Sequence, residues 1–190
     1  LNNTMPFPQP DKPTGSEPGA FLASFFGTAK TVLFSPQAFY AAAKNVYGFR
    51  PPFLFLLGCV TIHTVFVALT LRNAAVILFS LFNGLVMPFA TAALLFLVLT
   101  RLFNTSGTYE QTYRVVAYSA ATALVSWIPL AGFVVELYRI VIITIGLRCV
   151  FSVKTSQAVV AIAIVIFVYI AVFSLLGHFI GPTNQTAGIS

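Results

Sequence analysis

A run without a single charged side chain, residues 74–100, constrains this chain more than any other feature of its sequence. Its 27 residues exceed the roughly 20 that a helix needs to cross the hydrocarbon core of a bilayer. A second run of 19 uncharged residues, 53–71, precedes it. Because that core holds no water, the backbone of an open segment satisfies its hydrogen bonds there only as a helix. The two runs therefore predict membrane-spanning helices.

Composition places the whole chain in the same class. Of the 190 residues, 58% are hydrophobic and 7% are charged, whereas charged residues make up about 25% of an ordinary soluble domain. The net charge of +6 is compatible with nucleic-acid binding, but the ten Lys and Arg residues are spread along the chain without a basic cluster. We therefore expect a single domain that contacts the lipid bilayer and binds no nucleic acid.

The predicted fold is all-α, a polytopic membrane protein with five transmembrane helices preceded by an amphipathic interfacial helical segment. The membrane domain covers residues 49–182, and its predicted spans are 53–71, 74–100, 115–130, 133–151 and 157–180. Pro129 and Gly132 mark the turn between the third span and the fourth. An alternative with four spans stays open, in which residues 115–151 form a re-entrant hairpin.

The rest of the chain divides into three parts. Residues 1–19, with five prolines among the first eighteen, predict a disordered arm and lack the pattern of a signal peptide. Residues 20–48 carry apolar side chains at helical spacing, with Ser35 as N-cap and Pro36 at the first helical position. They predict amphipathic helices in the membrane interface, with packing under the bundle as the alternative. Residues 183–190 form a polar tail.

The basic residues predict the orientation in the membrane. Five spans place eight of them on the side of the N-terminus and only Arg72 clearly on the other side. Because basic residues are concentrated in cytoplasmic segments, the N-terminus is expected in the cytoplasm. The eight residues are Lys12, Lys30, Lys44, Arg50, Arg101, Arg114, Arg148 and Lys154.

Three residues form a candidate polar site within the membrane. Glu136 and Arg139 lie three residues apart on one helix face, and charges inside a span are costly and often functional. They form either a site for an ion or partner, or a structural ion pair. His63, near the middle of the first span, is either a ligand or a residue that hydrogen-bonds between helices.

Two other features carry structural or binding hypotheses. Gly84 and Pro88, near the middle of the second span, predict a helix kink. The polar loop 101–114 contains Tyr109, Glu110 and Arg114 as candidate cytoplasmic contacts, and the last two are spaced for a local ion pair.

Catalytic and metal-binding patterns are missing from the sequence. It contains no HExxH or GxSxG motif and no glycine-rich phosphate loop. Cys59 and Cys149 share no ligand spacing, and the serines in the spans are expected to bond their own backbone. We therefore predict no catalytic residue, no cofactor and no metal site.

Several motifs carry a resemblance to a known family. Pro36 and Phe39 match a P-x-x-F segment, and Gly48 to Pro52 supply Gly and Pro ahead of the first span. Residues 107–118 resemble the family's G…Y…R-V-A-Y segment before the third span. Ile128, Pro129, Gly132 and the triplet Gly146-Leu147-Arg148 resemble its later landmarks. Over roughly residues 21–180 the chain resembles the Yip1-domain membrane proteins, and their small bacterial members more than the eukaryotic trafficking proteins.

The resemblance implies five helices, a cytoplasmic N-terminus, a bacterial cytoplasmic membrane and no known catalytic residue. Eukaryotic members are trafficking factors that contact Rab GTPases. Their acidic D-L-Y-G-P segment corresponds here to residues 46–51, which lack the Asp, so GTPase binding is not implied.

The sequence thus leads to two functional hypotheses. The first is a non-catalytic membrane scaffold or accessory subunit that binds other membrane protein subunits or forms a homo-oligomer. The alternative is a small transporter or channel that uses a polar site near Glu136 and Arg139.

Overall fold

The computed structural model describes residues 18–44, 47–126 and 131–180, and every regular element in these ranges is helical. An all-α fold is therefore confirmed. The predicted arm up to residue 17 and the predicted polar tail lie outside the described residues. The elements are α1 (Pro18–Phe34), α2 (Pro36–Ala43), α3 (Arg50–Leu71), α4 (Ala74–Leu102), α5 (Tyr109–Ser119), the 3-10 helix η1 (Ala120–Leu124), α6 (Ala131–Phe151) and α7 (Thr155–Ile180).

Three of these helices are long and apolar enough to cross a membrane. They are Arg50–Leu71, Ala74–Leu102 and Thr155–His178. Helix α6 has 21 residues, but Glu136, Arg139 and Arg148 interrupt its apolar character. A polytopic membrane protein is thus supported by three spans, and the count of five stays a prediction.

The predicted third span, 115–130, differs from the structure. Helix α5 begins at Tyr109, and η1 replaces the α-helix after Ser119, while residues 127–130 lie outside the described ranges. The early start has a local cause, because Thr108 and Gln111 form a capping box in which each side chain accepts a hydrogen bond from the other's backbone N–H. The predicted loop 101–114 is therefore partly helical.

The helix ends gather at two ends of the bundle. Loop 103–108 and turn 152–154 lie at the same end, because Gly107 packs so closely on the ring of Phe151 that a Cβ on the glycine would collide with it. We call this end the Gly107 end. The opposite end, the Arg72 end, holds the turn between α3 and α4, where the side chain of Asn73 accepts hydrogen bonds from the backbone N–H groups of Ala75 and Val76. Six described basic residues lie at the Gly107 end: Lys44, Arg50, Arg101, Arg114, Arg148 and Lys154.

Helices α1 and α2 pack against the bundle. The ring of Phe25 lies against Phe55 with 5.1 Å between centroids. Tyr40 is fully buried in α2, and its hydroxyl donates to the carbonyl oxygen of Val115 at 3.0 Å. Burial raises the pKa of the Tyr40 phenol, with Tyr118 adding to the effect, so it stays a donor. Location of this segment in the membrane interface stays a prediction.

The core is densest near the Gly107 end. Tyr113 is fully buried, and its ring stacks on Phe89 with centroids 4.5 Å apart. Aromatic rings of this size dominate the buried apolar area of a small core. Other fully buried side chains in this part of the bundle are Leu56, Leu99, Val115, Val116 and Leu147.

Near the Arg72 end, parts of the long helices are uncovered. Thr91 and Tyr169 join α4 to α7 by a hydrogen bond of 2.9 Å. Beyond Tyr169, α7 continues for eleven residues, about 16 Å of helix. Every residue of 172–178 is exposed within the described part of the chain, and we call this stretch the projecting segment.

Candidate functional site: a polar cavity within the helix bundle

Arg139 and Glu136 form an ion pair on α6, with 3.7 Å between Nη1 of Arg139 and Oε2 of Glu136. Charge-assisted hydrogen bonds are usually about 2.7–2.9 Å long, so this contact is loose. The Arg139 side chain is 28% exposed and that of Glu136 is 57% exposed. Nε of Arg139 also donates to the hydroxyl of Ser119 at 3.3 Å, which ties the pair to α5.

His63 joins α3 to η1. Its Nδ1 lies 3.3 Å from the carbonyl oxygen of Ala123 and 3.3 Å from the hydroxyl of Ser126. A carbonyl oxygen only accepts hydrogen bonds, so the contact with Ala123 requires the tautomer with a proton on Nδ1. The imidazole therefore has its orientation set by the backbone of η1.

One cavity of about 220 Å³ brings these groups together between α3, α4, η1 and the first turns of α6. Gly84 and Pro88 line its α4 wall. The three residues of the candidate polar site thus lie around the same cavity as the two residues of the predicted kink. The polar side chains around the cavity are His63, Ser80, Asn83, Ser126, Glu136 and Arg139.

Ser80 and Asn83 also line this cavity, although their sequence context did not mark them as parts of a site. Both are uncharged and lie inside a long apolar run, so neither resembles a functional residue by type. Their spacing was a usable signal, because Ser80, Asn83 and Gly84 recur at three and four residues and therefore share one helix face.

Gly84 and Pro88 have identifiable structural roles. A Cβ on Gly84 would lie 2.9 Å from Cγ1 of Val60, so the glycine allows α3 and α4 to approach closely. Pro88 has no N–H, so the Gly84 carbonyl lacks its usual helical donor. Helix α4 continues through Pro88, and the kink stays a prediction.

A second cavity, of about 350 Å³, lies between α4, α6 and α7 and is mostly apolar. It shares Met87, Glu136 and Arg139 with the polar cavity, so the ion pair stands at the boundary between the two. The remaining lining residues are Thr91, Leu95, Phe133, Leu137, Ile140, Ile143, Ile162, Val165, Ile166 and Tyr169.

The packed core closes the polar cavity toward the Gly107 end. Leu56 and Ala120 form this side of its lining, and both are buried. The arrangement offers hydrogen-bond donors, acceptors and one charge of each sign around a small volume. It can therefore hold a small polar group or an ion.

Tyr109, Glu110 and Arg114 lie on α5 rather than in an exposed loop. Nη2 of Arg114 is 2.7 Å from Oε1 of Glu110, as their spacing predicts, and Nη1 donates to the carbonyl oxygen of Ala43 at 3.0 Å. Arg114 is only 2% exposed. The hydroxyl of Tyr109 donates to the carbonyl oxygen of Phe89. The polar groups of Arg114 and Tyr109 therefore hold α2, α4 and α5 together.

Within the described ranges, no group of three or more His, Cys, Asp or Glu side chains could hold a metal ion. Cys59 is buried and Cys149 is half-buried, and neither forms a disulfide. The chemistry of the polar cavity therefore depends on His63, the hydroxyl and amide groups, and the ion pair.

Comparison with known proteins agrees with the architecture. The model of the Yip1 domain family matches residues 30–176, well over half of the chain. Searches among curated proteins and among solved structures found no match. The matched residues include the last five residues of α1, all of α2, all three long apolar helices except the last turn of α7, and the two cavities described above. The chain is an integral membrane protein of the Yip1 family.

Proposed function

We propose that this protein is a non-catalytic scaffold or accessory subunit that binds other membrane protein chains. The observation that carries the proposal is the projecting segment of α7, residues 172–178, which is exposed on every face. No residue of this segment lines the cavity between α4, α6 and α7, whose last lining residue on α7 is Tyr169.

The residues of the projecting segment suit contact with another helix. In a bilayer, lipid tails are as apolar as Leu, so helices associate through close packing and interhelical hydrogen bonds. Ser174 and His178 lie four residues apart on one face, and a Cβ built on Gly177 would have nothing within 4 Å. A second copy of the chain and a different subunit are both partners of this kind.

We further propose that the Gly107 end faces the cytoplasm of a bacterial cytoplasmic membrane. Support comes from the six described basic residues at that end, compared with Arg72 at the other. The projecting segment then lies in the outer half of the bilayer.

Photo-crosslinking in intact membranes tests the scaffold function. A photoreactive residue at Leu176, in the projecting segment, is compared with one at Val159, since both native side chains are 48% exposed on α7. We expect protein adducts from Leu176 and only lipid adducts from Val159. Lipid adducts alone at both positions would contradict a partner at the projecting segment.

The polar cavity favours a second candidate, a small transporter or channel. His63, Asn83 and the ion pair surround a volume that can hold an ion. Between Leu56, Ala120 and the Gly107 end the core is packed, which argues against a continuous path for an ion across the bundle in this conformation. Scaffold and transporter make opposite predictions for a variant that lacks the ion pair.

A further inference from the structure

A separate polar pocket lies at the Gly107 end, between the first turn of α2 and the last turns of α6. Its volume is about 270 Å³, and Gln37, Arg148 and Ser152 supply most of its polar groups. Nζ of Lys44 donates to the hydroxyl of Ser152 at 3.2 Å, so a second cation stands at its rim. The other lining residues are Ile145, Cys149 and Val153.

The positive charge of this pocket has no counterion among the described residues. The two ion pairs within the described ranges join Arg114 to Glu110 and Arg139 to Glu136. Arg148 is exposed and belongs to neither pair. The pocket thus offers the guanidinium of Arg148 and the hydroxyl of Ser152, and the Lys44 ammonium is bonded to that hydroxyl. These are groups that bind a phosphate.

An apolar cavity adjoins the pocket and continues along α2. It has a volume of about 570 Å³ and shares Gln37 and Ile145 with the polar pocket. The other residues around it are Phe34, Ser35, Pro36, Ala38 and Ala41. A free phosphate would leave this cavity empty, whereas a molecule with a phosphate and a hydrocarbon chain would fill both volumes.

We propose that the two cavities together bind one anionic membrane phospholipid. Its phosphate lies between Arg148, Lys44 and the hydroxyl of Ser152, and an acyl chain lies along α2 in the apolar cavity. Turn 152–154 connects α6 to α7 at the Gly107 end. The pocket therefore lies where helices leave the bilayer, at the level of the lipid headgroups. This lipid site goes beyond the scaffold function and does not depend on it.

Native mass spectrometry of the full chain, purified in detergent, tests the proposal. Dioleoyl phosphatidylglycerol is compared with dioleoyl phosphatidylcholine, which has the same chains and no net charge. Arg148→Gln should weaken phosphatidylglycerol binding about fivefold or more. Arg101→Gln removes the same charge at the same end but outside the pocket, and should change binding by less than about twofold. Equal losses in the two variants would overturn the site.

The chain-binding half is tested with a tryptophan pair on α2. Ala41→Trp fills the apolar cavity and should reduce phosphatidylglycerol binding, whereas Ala42→Trp, at the neighbouring exposed residue outside the cavity, should not. Excess inorganic phosphate should fail to displace the lipid. Displacement by phosphate together with unchanged binding in Ala41→Trp would show a site for free anions and overturn the proposal. Thermal stability of each variant in detergent shows whether a loss of binding reflects misfolding.

Discussion

Arg139 lies closer to Ser119 on α5 than to the carboxylate of Glu136 on its own helix, at 3.3 Å compared with 3.7 Å. The guanidinium is therefore positioned by tertiary contact and not only by its spacing along α6. Ser119 in turn donates to the carbonyl oxygen of Val116 at 2.7 Å, so its oxygen is free to accept from Arg139. The loose ion pair at the cavity boundary is thus anchored on one side.

The ion pair separates the two candidate functions. Breaking a fully buried pair costs about 3–5 kcal/mol, but with Arg139 at 28% and Glu136 at 57% exposure we expect only about 1 kcal/mol for Glu136→Gln or Arg139→Met. The double variant should recover most of this loss, because no uncompensated charge remains. Thermal unfolding in detergent measures the stability, and complementation of a deletion strain measures the function. We expect the double variant to be active, and a stable but inactive double variant would favour the transporter.

Arg114 should be the most sensitive arginine for folding. It is 2% exposed and bonds both Glu110 and the carbonyl oxygen of Ala43. Arg114→Met removes the positive partner of Glu110, which keeps only the N–H of Gly48, and leaves the Ala43 carbonyl without this donor, so a loss of about 3–5 kcal/mol is expected. The control is Arg101→Met, whose side chain is exposed and belongs to neither ion pair, with an expected change within about 0.5 kcal/mol. Similar thermal stability of the two variants in detergent would contradict this role.

Alanine substitutions at Gly146 on α6 and, as a control, at Gly177 on α7 test the packing of α6 against its neighbours. A Cβ on Gly146 would lie 2.6 Å from Cγ1 of Val115 and 3.1 Å from the ring of Tyr40, so Gly146→Ala should cost about 1–3 kcal/mol. Gly177 has nothing within 4 Å of such a Cβ, and Gly177→Ala should be neutral or stabilise the helix by up to about 1 kcal/mol. The reverse order of melting temperatures would mean that α2 does not lie against α6 as described.

Pro88→Ala restores an N–H that can bond the carbonyl oxygen of Gly84. We expect a straighter α4 with little loss of membrane insertion. Spin labels at two exposed residues on either side, Phe79 and Leu97, should move farther apart in the variant, as measured by pulsed electron resonance. An unchanged distance would show that Pro88 causes no kink, and loss of the protein from the membrane would reveal a role in folding.

The orientation can be measured with single cysteines. Ser106 is exposed in the loop at the Gly107 end, and Arg72 is exposed at the opposite end. In a background with Cys149→Ala, Ser106→Cys should react with an impermeant reagent only from the cytoplasmic side, and Arg72→Cys only from outside. Gly107 itself is unsuitable, because any side chain there would collide with Phe151. The reversed pattern would place the N-terminus outside.

Local properties of the chain were enough to predict most helices. Helices α3, α4 and α7 begin and end within three residues of the predicted uncharged runs 53–71, 74–100 and 157–180. In a bilayer each helix satisfies its own backbone, so the length of an uncharged run determines the element without reference to its neighbours. The start of α5 at Tyr109 was also predictable from the sequence, since Thr108 and Gln111 have the spacing of a capping box.

The contacts between helices could not be predicted from these local properties. The buried Arg114 donates a hydrogen bond to the carbonyl oxygen of Ala43 on α2, which lies 71 residues earlier in the chain. The polar cavity likewise joins His63, Asn83 and Glu136 from three helices, and its position depends on how closely Gly84 lets α3 approach α4.

By itself, the sequence determined that this protein is helical, lies in a membrane and resembles the Yip1 family, because apolar length and short motifs are local. Only the tertiary structure decided that α5 gives way to η1 after Ser119, that α6 leaves residues 172–178 of α7 uncovered, and that the ion pair lies between a polar and an apolar cavity. The physical reason is that lipid solvates any apolar helix face equally well, so the choice of which faces meet is made by close packing and by polar bonds between helices.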